Sequence, residues 1–174
     1  MLKKGLVFWF TGRPGSGKST IINSIFSTLQ QDGPVEILDG DELRIWLSPE
    51  AGFSKEGRER HITRVIRISD MLSRNGVLVL VSLVSPYRKI REEARKFIGD
   101  SFKEVFVKCS IETCVKRDPK GHYSKAIKGE IKDMTGIQDV YEEPLSADLV
   151  IDTEKLSLEE STKLVLDFIH KQNM

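Results

Sequence analysis

Short unbroken apolar runs alternate along this chain with longer stretches in which apolar residues recur every three or four positions. Leu6 to Phe10, after Gly5, is one such run and predicts a strand buried on both faces. Ile21, Ile22, Ile25, Phe26 and Leu29 then fall at helical spacing, so a helix starts near Lys18; Gly33-Pro34 breaks it. Val35 to Leu38 predicts a second strand, ending at Asp39. Ser54 caps a long helix, with Gly57 three residues on in place of the Glu of a full capping box. Ile62, Val65, Ile66 and Leu72 form its inner stripe, and Arg60, Arg64, Arg67 and Arg74 lie mostly on the other, solvated side. Asn75-Gly76 ends that helix, and Val77 to Val81 predicts a third strand. Pro86 opens a helix carrying Ile90, Ala94, Phe97 and Ile98. Val105 to Val107 is a fourth strand, Ile111 to Val115 a short helix, Leu149 to Ile151 a fifth strand and Leu158 to Ile169 a final helix.

The remaining segment, Arg117 to Pro144, is rich in Lys, Gly, Asp and Glu and lacks a long apolar stripe. It reads as a mobile lid or long loop, because irregular segments of that length inside a compact domain usually serve function. The alternation of strands and helices predicts an α/β fold in three layers, a five-stranded parallel sheet with helices on both faces. At 174 residues a single domain over 1–174 is expected.

Charge changes the picture mainly by exclusion. Lys plus Arg is 27 and Asp plus Glu 26, a balance that gives no support for binding nucleic acid or a membrane surface. Cys109 and Cys114 match no CxxC pair and no zinc ligand set, and read as reduced, partly buried thiols. Lys3 and Lys4 before an apolar run resemble a signal peptide, but the run ends in a glycine loop without a small-residue cleavage site. The longest apolar stretches, such as Val77 to Val84, are too short to span a bilayer, so a cytoplasmic location is expected.

Candidate chemistry gathers where strands end. Gly12-Arg13-Pro14-Gly15-Ser16-Gly17-Lys18-Ser19 matches GxxxxGK[ST] in full, between a buried strand and a helix that continues with Thr20. The glycines let backbone N–H groups turn toward phosphate oxygens at a helix N-terminus. Lys18 reaches the β- and γ-phosphates, and the Ser19 hydroxyl suits Mg²⁺; ATP with Mg²⁺ is the expected cofactor pair. Asp39-Gly40-Asp41 ends the second strand, where ligands of parallel sheets sit, and supplies a metal ligand and a base. Arg58 and His61 share a helix face that leans inward; Arg58 suits an oxyanion, and His61 either donates a hydrogen bond or is a structural histidine. Ser85 either N-caps the helix opened by Pro86 or faces a ligand, and Phe53 in a Gly-Phe-Ser turn either packs or stacks on a base. His122 and His170 read as solvated.

Taken together these residues resemble the adenylylsulfate kinases. The matching runs are the P-loop, DGDELR at 39–44, AGFS at 51–54, VSPYR at 84–88, RDPKGHYSKA at 117–126, GEIKDMTGI at 129–137 and LVIDT at 149–153, colinear over nearly the whole chain. The resemblance implies a P-loop nucleotide-kinase-like fold with a lid at about 117–144, and transfer of the γ-phosphoryl of ATP to the 3′-hydroxyl of adenylyl sulfate. It implies Ser19 and Asp39 at the metal, Asp41 as base, Arg117 with Gly12 to Thr20 at the ATP, and Arg44, Phe53, Arg58, His61, Val84, Ser85, Lys120 and Met134 at the acceptor. Ser85 matches a serine described as a phosphoenzyme, although a positioned hydroxyl acceptor can be attacked directly and no base is dedicated to Ser85. A homodimer is also implied. Glu42, Trp46, His61 and Met134 depart from the common pattern, where Asn, a small residue, Asn and an aromatic ring stand. They leave room for a second acceptor such as cytidine diphosphoramidate. A non-catalytic nucleotide switch is the remaining reading, but no NKxD segment is present.

Overall fold

A computed structural model describes residues 5–172; Lys3 and Lys4, read above against a signal peptide, lie outside them. Five strands form one parallel sheet: β1 (Val7–Thr11), β2 (Val35–Asp39), β3 (Leu78–Ser82), β4 (Phe102–Lys108) and β5 (Leu149–Asp152), in the order β2-β3-β1-β4-β5. β1 is central, paired with β3 through Val7↔Val79 and with β4 through Phe10↔Val105, which is why its sequence is apolar without alternation. Successive side chains of β1 serve opposite faces. Phe8 and Phe10 enter one core with α1 (Lys18–Gln30) and α7 (Leu158–Gln172). Val7 and Trp9 enter the other, with α3 (Lys55–Arg74) and α4 (Arg88–Ile98). The chain first builds leftward from β1, then crosses to β4 and β5, so the strand order reverses at the carboxyl end of β1, where an open α/β sheet holds its ligand.

The five strands, both helical layers and the cap by Ser54, whose Oγ accepts from Gly57 N at 3.2 Å, follow the sequence pattern. A Cβ at Gly57 would lie 1.7 Å from the Ala51 carbonyl, so close packing against the preceding turn excludes Glu there. Three expectations are corrected. Pro86 does not open a helix: α4 begins at Arg88, and Ser85 caps nothing. Two helices escaped the periodicity, α2 (Gly40–Trp46) and α6 (His122–Ile127), both too short for an apolar repeat to register. Segment 117–144 is therefore more than a loop. α6 stands within it, and Tyr123, Ala126 and Met134 join Cys109 and Cys114, both free and buried, in a small core with α5 (Ile111–Arg117). A 3-10 turn, Gly99–Ser101, leads into β4. Among the described residues no helix is long and apolar enough to cross a membrane.

Candidate active site

An open cleft of about 1090 Å³ runs along the carboxyl edge of the sheet, roofed by segment 117–135. Its first half is the P-loop. Gly15 and Gly17 adopt φ of 76° and 103°, the left-handed region that a side chain disfavours, and so bend the backbone around the cleft. Tyr123 of α6 fixes the loop from above, its hydroxyl donating to Pro14 O at 2.9 Å. Lys18 is buried, and its Nζ donates to Gly12 O and Arg13 O, each at 2.9 Å. Burial lowers its pKa to about 8, with Asp41 and Asp39 partly opposing the shift.

Ser19, Asp39 and Ser82 meet beneath that loop. Ser19 Oγ donates to Asp39 Oδ2 at 3.0 Å and stands 3.0 Å from Ser82 Oγ. Asp39 also caps α2, accepting from Asp41 N at 3.0 Å, which fixes both carboxylates at the end of β2. Hard oxygens so grouped suit Mg²⁺, which takes few protein ligands and keeps phosphates and waters as the rest. Asp41, two residues further, pairs with Lys120 from the roof. Burial raises its pKa, but the Lys120 contact outweighs that and holds the carboxyl below its ordinary value.

The second half lies between α3 and the roof. The Phe53 ring is 53% exposed at the mouth, with the Arg44 guanidinium 4.6 Å and that of Arg58 5.7 Å from its centroid. Arg58 is buried and spans the slot, Nε donating to Phe53 O at 2.8 Å and Nη2 to Asp133 O. It therefore sets the distance between Phe53 and Met134, which is buried and lines the cleft. His61 is fully enclosed, lines the same half, and among the described residues neither ring nitrogen has a well-formed hydrogen bond. Burial first, then the charges of Arg44 and Arg64, lower its pKa to about 4, so the ring is neutral at pH 7. Thr135 Oγ1 is likewise buried, unpartnered and at the cleft.

The cleft thus gathers Pro14, Gly15, Gly17, Lys18, Ser19, Thr20, Asp39, Asp41, Arg44, Phe53, Arg58, His61, Val84, Ser85, Arg117, Lys120 and Met134 from the residues singled out by sequence. It does not gather all of them. The Arg13 side chain turns away, donating to Cys109 O at 3.1 Å and Glu143 Oε1 at 3.0 Å, so only its backbone belongs to the loop. Gly12 and Ser16 form the loop's floor and do not line the cleft; a Cβ on Gly12 would lie 2.5 Å from Val107 O. Trp46 is 61% exposed and outside the cleft, whereas Phe53 and Met134 both line it. Ser85 lines the cleft with φ of 44° and accepts from Trp9 Nε1 at 2.9 Å.

Sequence reasoning missed the floor at the outer end, made by Thr153, Leu156, Leu158 and Ser161. Arg117 docks there, Nη1 on Thr153 Oγ1 at 3.0 Å and Nη2 on Thr153 O at 2.8 Å. The available signal was position: Thr153 follows the carboxyl end of β5 as Asp39 ends β2.

A family profile described as Adenylylsulphate kinase matches residues 4–152. The probable adenylyl-sulfate kinase of Aeropyrum pernix is 45% identical over 172 residues, covering 97% of this chain and 94% of the relative. The adenylyl-sulfate kinase of Gloeothece citriformis is 47% identical over 167 residues, covering 95% and 94%. Among solved structures, the APS kinase of Mycobacterium tuberculosis in complex with AMPPNP and APS superposes with a TM-score of 0.90 at 37% identity, covering 96% of this chain and 98% of that one. A gluconokinase from Sinorhizobium meliloti, at 16% identity and a TM-score of 0.62, shares the fold alone.

Proposed function

The chain belongs to the adenylylsulphate kinase family, and we propose that its cleft carries the γ-phosphoryl of ATP to the 3′-hydroxyl of adenylyl sulfate, giving 3′-phosphoadenylyl sulfate and ADP. One observation carries the reading: an anion-ready P-loop and a two-sided base slot share one cleft, with the carboxylate of Asp41 between them. In the donor half, Lys18 leaves the Gly12 and Arg13 carbonyls for the β- and γ-phosphate oxygens, while the loop amides hold the chain of phosphates. The ATP base lies toward Thr153 and Leu156 under Arg117. Ser19 and Asp39 would hold Mg²⁺, which would supply positive charge to offset that of the phosphate oxygens.

In the acceptor half, the base of adenylyl sulfate stacks on Phe53 and packs on Met134, across the gap that Arg58 spans. Arg44 has one nitrogen on Gly52 O at 2.5 Å and further donors free for the phosphosulfate. The neutral His61 ring and the Thr135 hydroxyl are buried polar groups without a well-formed hydrogen bond among the described residues, and they can offer donors to the acceptor. Asp41 accepts the 3′-hydroxyl proton as the oxygen attacks phosphorus. Its pairing with Lys120 makes it a weak base until the phosphates draw that lysine away, so the base is released when both substrates are present. Ser85 accepts from Trp9 and has no base beside it, which supports direct transfer and not a phosphoserine.

The test is ATP-dependent 3′-phosphorylation of adenylyl sulfate, cytidine diphosphoramidate and AMP side by side. Preferred turnover of adenylyl sulfate supports the reading; preferred turnover of either other acceptor overturns it. A homodimer and a cytoplasmic location are proposed on the family resemblance, the first tested by light scattering and the second by fractionation of cells.

A further inference from the structure

Arg91 lies on α4 outside the cleft, buried to 3% exposure, and spends its guanidinium in an unusual way. Nε donates to Glu104 Oε1 at 2.7 Å, Nη1 to Ser85 O at 2.6 Å and Nη2 to Glu142 O at 2.6 Å. A guanidinium placed only to neutralise Glu104 would fork onto that carboxylate. Here two of its three edges go to backbone carbonyls from segments far apart in sequence, the loop after β3 and the strap that returns from the roof. Glu104 has a second cation besides, Arg95 Nη2 at 3.7 Å.

The two carbonyls matter because of what they hold. Ser85 has φ of 44°, a conformation a serine keeps only where its surroundings impose it. Its side chain is fixed by Trp9 and its carbonyl by Arg91. The strap is laced to the same loop: Glu142 N donates to Pro86 O at 2.8 Å, Arg88 N to Glu142 Oε2 at 2.7 Å and Arg88 Nε to Glu143 O at 2.8 Å. Thr11 Oγ1 donates to Val84 O at 2.7 Å and stands 2.9 Å from Tyr141 Oη. Among the described residues, Arg91 is the one side chain that hydrogen-bonds both the strained residue and the strap.

We infer that Arg91 is a positioning residue for the nucleotide acceptor: by clamping the Ser85 turn against the strap, it fixes where Val84 and Ser85 meet the acceptor. This rests on the acceptor half assigned above. Arg91→Lys keeps a cation for Glu104 but cannot reach both carbonyls. Losing charge-assisted hydrogen bonds of this kind corresponds to a rise of about tenfold or more in KM for adenylyl sulfate. KM for ATP is expected to stay within about twofold, since the donor half is built from other segments. Because removing one member of a buried pair can unfold a protein, the paired variant Arg91→Gln with Glu104→Gln removes both charges at once. The same rise in acceptor KM is expected from it.

A cycle with Ser85→Gly, which relaxes the turn, separates this role from general scaffolding. Arg91→Lys added to Ser85→Gly is expected to raise acceptor KM little further, because both act through one turn. The inference is overturned if a folded Arg91 variant keeps its acceptor KM, if ATP and acceptor KM rise in parallel, or if the two substitutions multiply. Failure of the wild-type protein to phosphorylate adenylyl sulfate would instead overturn the acceptor assignment beneath it.

Discussion

Replacing Lys18 by Met should slow turnover sharply and stabilise the nucleotide-free protein. The ammonium is buried against Gly12 and Arg13, with no phosphate present to repay its lost hydration. Its pKa falls from 10.5 to about 8, which at about 1.4 kcal/mol per tenfold change in proton affinity is a penalty of about 3 kcal/mol. The sign follows from linkage. Between pH 8 and 10.5 the unfolded chain carries the proton and the folded one does not, so stability rises with pH across that window. At pH 7 both are protonated and the full penalty stands. Met fills the same space without charge, and gives up two hydrogen bonds worth about 1 kcal/mol each. The Gly12 and Arg13 carbonyls border an open cleft and can rehydrate, so the net gain is about 1–2 kcal/mol. In a chain of this size that is a rise of several degrees in Tm. Turnover should fall by about 10²–10³, the cost of losing one preorganised partner of a transferring phosphoryl group. The assay is thermal unfolding of both proteins without nucleotide at pH 7 and near pH 10.5, with turnover measured beside it. The gain at pH 7 should vanish or reverse at the higher pH, because every other titrating group is common to both chains. A variant less stable than wild type at pH 7, by a margin that pH does not move, would refute the reasoning, as would near-normal turnover.

Asp41→Asn should lower kcat by about 10²–10⁴ at any Mg²⁺ level, whereas Asp39→Asn should mainly raise the Mg²⁺ requirement; rescue of the first and not the second by added Mg²⁺ would exchange their roles. Phe53→Ala should raise acceptor KM by about tenfold, from a stacking contribution of about 1–3 kcal/mol, and leave ATP KM unchanged; equal effects on both would place the ring outside the acceptor slot. His61, buried and neutral, holds its proton only below about pH 4, so wild-type stability should fall by up to about 3 kcal/mol as pH drops from 6.5 through 4, and His61→Asn should lack that fall in chemical denaturation across the range. Hydrogen exchange should be fast in segment 117–132 and slowed by an ATP analogue, while 139–143 stays slow throughout because that strap is laced to Pro86 and Arg88; equal rates with and without ligand in 117–132 would contradict a lid.

The fold was legible because its signals are dense. β1 and β3 are buried throughout and apolar at every position but the last, and α1 and α3 repeat their apolar residues over several turns. What escaped was short or held from a distance. α2 has seven residues and α6 six, less than two turns each, and α2 is started by the carboxylate cap of Asp39, not by an apolar stripe. Ser85-Pro86 is a good local start signal for a helix, yet Trp9 and Arg91, 76 and 6 residues away, hold Ser85 in a turn. Tertiary contact overrode local propensity there.

The two halves of the cleft differ in the same way, for a physical reason. Phosphate recognition needs backbone amides in one tight turn, so eight consecutive residues carry it and a motif reports it. The proposed acceptor half of the cleft is assembled from α2, the turn at Phe53, α3, the loop after β3 and the roof, and no spacing in the sequence connects them. Arg58 illustrates the limit. Its inward helix position was readable, and it suggested an oxyanion fork. Two of its nitrogens instead bind Phe53 O and Asp133 O, where they join the slot's two walls. Trp46 illustrates it from the other side: a large ring close in sequence to Arg44, it stands outside the cleft, while Met134 lines it. A methionine fills such a slot by adapting its rotamer. On the proposed reading, discrimination between bases falls to groups with unused hydrogen-bonding capacity, and among the described residues His61 and Thr135 are buried cleft-lining side chains with unpartnered polar atoms.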